Sequence, residues 1–160
     1  MLRRTIAVVA VLVAVVALPA TTGAAEITRV EYREAAEPIC KEDTQANERI
    51  LAGVRTEVRH GDLGPPAAKF AKAAKALKQT LRELEALPRP AADEARLAKW
   101  FATVKTAVSN FEAISRKLKA GQKAAAESYV TKLTVTANKA NNQVLPFEFT
   151  YCRFEPSRFT

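Results

Sequence analysis

From residue 28 to residue 145 the apolar residues of this chain recur every three to four positions, and strong breaks fall only at 61–66, 88–90 and 120–122. That period is the turn of an α-helix; a half-buried strand would alternate instead. The first segment opens with Thr28 and Glu31 at the spacing of a capping box. It then sets Tyr32, Ala36, Ile39, Ala46, Ile50 and Val54 at helical intervals and is expected to stop at Gly61. Pro38 lies inside it and should kink it or split off its first turns. The second helix is expected from Pro65 or Pro66, where a missing N–H costs nothing, to about Leu87. Its Phe70, Ala73, Ala74, Leu77, Leu81 and Leu84 fall within roughly 100° of arc. The third, over about 91–119, carries the wider face of Leu97, Trp100, Phe101, Val104, Val108, Phe111 and Leu118. The fourth, over about 123–145, uses Tyr129, Leu133, Ala137, Ala140 and Val144.

Four amphipathic helices with short connections have one economical arrangement: an all-α, antiparallel up-down-up-down four-helix bundle. The bundle domain is expected over 26–152, with a C-terminal tail at 153–160. The residues before it read as a secretory signal peptide at 1–25. Arg3 and Arg4 precede an apolar run from Ile6 to Leu18, then Pro19 and small residues through Ala25. The apolar run is too short to span a bilayer, which takes roughly 20 residues, so cleavage near Ala25 and a secreted or extracytoplasmic location are expected. Losing 25 of 160 residues would leave 135, about one domain, and losing Arg3 and Arg4 would take the net charge from +8 to +6. Cys40 and Cys152 are the only cysteines. In an oxidising compartment an even count predicts a disulfide, and so long a loop could contribute up to ~4 to 5 kcal/mol in the chain-entropy model. An antiparallel bundle sets the start of the first helix beside the end of the fourth, which agrees with that pairing.

The order of Tyr32 and Ile39-Cys40, a Leu87-Pro88-Arg89-Pro90 turn, a Lys119-Ala120-Gly121 turn and one cysteine near the C-terminus resembles the small exported helical-bundle proteins abundant in some bacteria. Those proteins generally have no assigned biochemical activity. The resemblance covers most of the chain and implies the bundle and the disulfide, and it implies no catalytic residues. The departure is at the end, where PFEFTYC and RFEPSRFT replace a short glycine-containing approach to the last cysteine.

No organised chemistry accompanies this pattern. His60 is the only histidine, and at a helix end it favours the C-terminus electrostatically. Bundle metal sites need Glu-x-x-His pairs, and haem needs histidine or methionine ligands, so neither a metal nor a cofactor is expected. Nucleophile and phosphate-loop motifs are also missing, and the protein is read as non-enzymatic.

Three candidate surfaces remain. Asp43 and Asn47 would face Asn138 and Asn141 between the first and fourth helices, either as a polar pocket for a small ligand or as hydrogen-bonded pairs that fix register. Lys69, Lys72, Lys75, Lys78 and Arg82 form the outer half of the second helix. They read first as a solvated face and otherwise as a contact for an anionic envelope component or membrane surface. In the aromatic tail, Phe147, Phe149 and Tyr151 should cover the open end of the bundle, while Phe154 and Phe159, beyond the cysteine, could dock a partner. The expected protein is therefore a monomeric binding or interaction module of the cell envelope. Its membrane contact would be at most peripheral, and export removes it from nucleic acid.

Overall fold

A computed structural model describes residues 26–155. The expected signal peptide and Phe159 lie outside the described residues. Among those residues the chain is all-helical, with no strand. Four long helices are α1 (Arg29–Leu51), α3 (Gly64–Ala86), α4 (Glu94–Lys119) and α5 (Lys123–Gln143); a short α2 (Val54–Arg59) follows α1, and single 3-10 turns cover Ala91–Asp93 and Leu145–Phe147.

The capping box forms as the sequence requires. The Glu31 amide donates to Thr28 Oγ1 and the Thr28 amide donates to Glu31 Oε2, satisfying two of the helix's orphan donors. The first turns are not split off at Pro38; α1 continues through it, and the break comes later, at Ala52 and Gly53. Gly53 has φ 79°, a left-handed conformation that only glycine adopts at little cost. The Ala52 carbonyl, released from the helix, accepts from Lys69 Nζ at 2.7 Å, and the same ammonium pairs with Glu57 of α2. One predicted helix therefore becomes two, with α2 folded against α3.

Helix α4 is the centre of the packing, with α3 on one side and α5 on the other, and α3 in turn carries α1. The sequence explains this, because α4 has the widest apolar face. Leu97, Trp100, Phe101, Val104, Val108, Phe111 and Leu118 are all buried, as are all six expected positions of α3 from Phe70 to Leu84. Each such large side chain contributes roughly 1.5–3 kcal/mol by leaving water. Arg29 grips the buried Asp93 with two nitrogens at 2.8 and 2.9 Å, tying the first turn of α1 to the start of α4. The hydrogen bond from Arg29 holds the Asp93 carboxyl below its usual range.

The tail packs against α1. Phe147 meets Tyr32 edge-on at 5.6 Å, and Phe149 stacks on Trp100 at 5.8 Å. The amides of Thr150 and Tyr151 then donate to the Glu37 carboxylate, and Cys152 reaches Cys40 with the Cα atoms 5.0 Å apart. The tail thus follows α1 past Tyr32, Glu37 and Cys40 in turn. It begins with a 3-10 turn and a left-handed Glu148, not the extended segment its alternation suggests, and Phe147 and Phe149 are both buried.

Tyr32 is fully buried, and its hydroxyl has no hydrogen-bond partner among the described residues; burial pushes its pKa up to about 12. A desolvated, unpaired hydroxyl costs about 1–3 kcal/mol. Tyr32→Phe is expected to raise the unfolding free energy by about 1 kcal/mol in urea titrations. A loss of that size would reveal a partner for the hydroxyl.

Candidate functional site

The polar residues of α1 line a cavity, with different neighbours from those the sequence suggests. Asp43 lies one turn beyond Cys40 and Asn47 one turn further, so both share the face of α1 that Leu77, Thr80 and Leu81 of α3 approach. Together with Trp100 and Val104 of α4 and residues 150–155 of the tail they line a cavity of about 50 Å³. At ~10–15 Å³ per water this is room for a few waters, or for one polar group of a ligand. The Cys40–Cys152 disulfide forms part of the wall.

Asp43 Oδ1 accepts a hydrogen bond from the Thr80 hydroxyl at 3.0 Å. No ammonium or guanidinium pairs with it among the described residues. Burial pushes its pKa up to about 6, against the opposing help of Thr80 and Asn47, and the nearby Glu83 carboxylate adds to the rise. Arg153 and Glu155 stand at the tail side of the cavity. Two further groups on the wall are deeply buried and have no hydrogen-bond partner among the described residues. They are the Asn47 carbonyl oxygen, on a side chain 5% exposed, and the Trp100 indole N–H, on one 1% exposed. Buried polar atoms are almost always paired, so two such atoms on residues that line one cavity, beside a desolvated carboxylate, single this region out.

The remaining sequence-derived residues separate. Asn138 is exposed on α5. Asn141 uses both ends of its amide on the tail, donating to the Phe154 carbonyl and accepting from the Phe154 amide, each at 2.8 Å. The polar cluster is thus built between α1 and α3; the expected facing of α1 and the last helix is replaced by the tail wedged between them. Phe154 is half-buried and lines the cavity. Of the basic residues of α3, Lys69 is committed to Glu57, Arg82 bonds Gln79, and Lys72, Lys75 and Lys78 are exposed. Sequence reasoning missed Thr80 and Trp100. Thr80 carried a weak signal, a lone hydroxyl among the alanines and leucines of its helix, whereas Trp100 looked like pure core.

Among the described residues no group of three His, Cys, Asp or Glu side chains could hold a metal, and no helix is long and apolar enough to cross a membrane. Comparison with protein-family models, with curated proteins and with solved structures gave no match.

Proposed function

We propose that this is an extracytoplasmic, non-enzymatic, monomeric binding protein whose cavity between α1, α3, α4 and the tail receives the ammonium head of a small amine. The observation that carries the reading is the Asp43 carboxylate, half-buried and without a cationic partner, on the same wall as Asn47 with its unpaired carbonyl oxygen. An ammonium supplies up to three donors and one positive charge, which matches those two acceptors, and the Trp100, Phe111 and Tyr151 rings on the wall favour a cation over an anion. Antiparallel bundle topology belongs to the same reading. It is supported by Arg29 joining the first turns of α1 and α4, and by Ser115, late in α4, donating to the Ala67 carbonyl early in α3 at 2.7 Å. Export is supported by the basic and apolar N-terminal run and by the disulfide.

The pH dependence gives a test with a definite sign. A carboxyl whose folded pKa is about 6, against roughly 3.9 when unfolded, holds its proton more tightly in the folded state. Its contribution to stability is complete below about pH 4 and is lost as pH rises through 6, a fall of about 3 kcal/mol. Affinity for an ammonium moves the opposite way and rises as Asp43 ionises. Trp100 is the only tryptophan, so titration with n-butylammonium can be followed by intrinsic fluorescence. Binding should strengthen about tenfold or more between pH 5 and 7, and Asp43→Asn should abolish both the binding and the stability slope. Equal binding of neutral n-butanol, or affinity indifferent to Asp43→Asn, would sink the proposal and leave a hydrated cluster that fixes the register of α1 on α3.

A further inference from the structure

A second cavity, of about 200 Å³, opens at the other end of the helices, where α2 lies across the start of α3, the end of α4 and the start of α5. Its floor is hydrocarbon: Val54 and Val58 of α2, Phe70 of α3, and Ile114 and Leu118 of α4. Its rim is cationic, with Arg55 and Arg59 on successive positions of one face of α2 and Lys123 opening α5. No described carboxylate forms an ion pair with any of the three, and the single acid on the rim, Glu127, leaves the mouth net positive. The cavity is separate from the Asp43 site: Phe111 lines that one and Phe70 this one, with ring centroids 5.8 Å apart.

An apolar chamber under a cationic mouth selects a molecule with an apolar body and an anionic end. We propose that this cavity binds the acyl chain of a free fatty acid, with its carboxylate held by Arg55, Arg59 and Lys123. The space is more than ten times the ~10–15 Å³ that one water needs, which suits a run of methylenes better than a single small solute. The break at Gly53 is what creates the site, because it turns α2 out of line with α1 and sets Arg55 and Arg59 over the pocket. A helix unbroken from Thr28 to Gly61 would carry those arginines away from it.

The test is calorimetric titration of the disulfide-bonded protein with hexanoate, octanoate, decanoate and, for comparison, 1-octanol. Affinity should rise about threefold to fourfold per added methylene until the chain outgrows the pocket. Octanol should bind about tenfold or more weakly than octanoate, and raising salt should narrow that gap. Arg59→Gln with Lys123→Gln should weaken octanoate severalfold and leave octanol unchanged, while Val58→Trp, filling the chamber, should remove both. Urea titration of each variant separates lost binding from lost folding, and Asp43→Asn should bind octanoate as the parent does. Affinity independent of chain length, or binding that survives Val58→Trp, overturns the proposal. So does binding to anionic phosphatidylglycerol vesicles without binding to monomeric octanoate, which would make the rim a membrane contact. A dimer that Val58→Trp dissociates would identify a second copy as the occupant and overturn it equally.

Discussion

Replacing Cys40 and Cys152 together with serine is expected to lower the unfolding free energy by about 2–5 kcal/mol, a large share of the 5–15 kcal/mol typical of a domain. The cross-link joins residues 112 apart, and closing so long a loop removes much of the entropy of the unfolded chain. The folded state suffers a second loss that is local. The bond is where the tail is fastened to α1, and the other fastenings are polar and lie nearer the surface: Glu37 to the Thr150 and Tyr151 amides, and Asn141 to Phe154. Without the cross-link, Phe147 and Phe149 can leave the rings of Tyr32 and Trp100. The expected signature has two parts: a lower urea midpoint, and a red-shifted Trp100 emission that precedes the loss of helical circular dichroism, because α3, α4 and α5 pack on one another without the tail. A single transition, shifted by less than about 1 kcal/mol, would show that the tail is held by its aromatic packing alone. The same variant should lose the Asp43 cavity, since Cys40, Cys152 and residues 150–155 form its wall.

The helices themselves were legible because each reports on its own sequence. The Thr28 and Glu31 box, the prolines opening α3 and the Lys119-Ala120-Gly121 turn act locally, and the apolar stripes of α3 and α4 point at the core whatever lies across from them. Neighbour relations are a different kind of information. Periodicity says that α1 has a buried face, but it cannot say whether α3 or α5 covers it, and the tail decided this by filling the space beside α1. That is why Asp43 found Thr80, and Asn141 found the backbone of the tail at Phe154. Gly53 was legible in principle, since a glycine in mid-helix costs about 1 kcal/mol relative to alanine and so marks a weak point. Its neighbours Leu51 and Val54 continue the apolar pattern, which hid the break.

The site was half legible for the same reason. Asp43 and Asn47 stood out as poor helix formers within α1. Trp100 did not, because a tryptophan on a wide apolar face satisfies the periodicity completely. Its indole N–H matters only in three dimensions, where it is buried at the cavity wall with no partner among the described residues. Such a group lowers stability, and so does the carboxylate of Asp43 at neutral pH. Both are costs that a fully paired core would not carry.

Trp100 therefore separates packing from polarity in a pair of substitutions. Trp100→Ala should cost about 3–5 kcal/mol, the range for truncating a large buried aromatic, because its ring contacts both Phe101 and Phe149 and nothing nearby can fill the space. Trp100→Phe keeps most of that packing and removes a buried donor whose desolvation costs about 1–3 kcal/mol, so the two effects offset and the net change should lie within about 1 kcal/mol of zero. Both variants lack the only tryptophan, so stability is read from helical circular dichroism in urea and ligand affinity from calorimetry. Trp100→Phe should fold normally and bind n-butylammonium severalfold more weakly, since phenylalanine offers a cation a weaker face than tryptophan does. If Trp100→Phe instead destabilises the protein nearly as much as Trp100→Ala, the indole N–H is already satisfied within the free protein. The cavity wall at Trp100 would then be a finished part of the core.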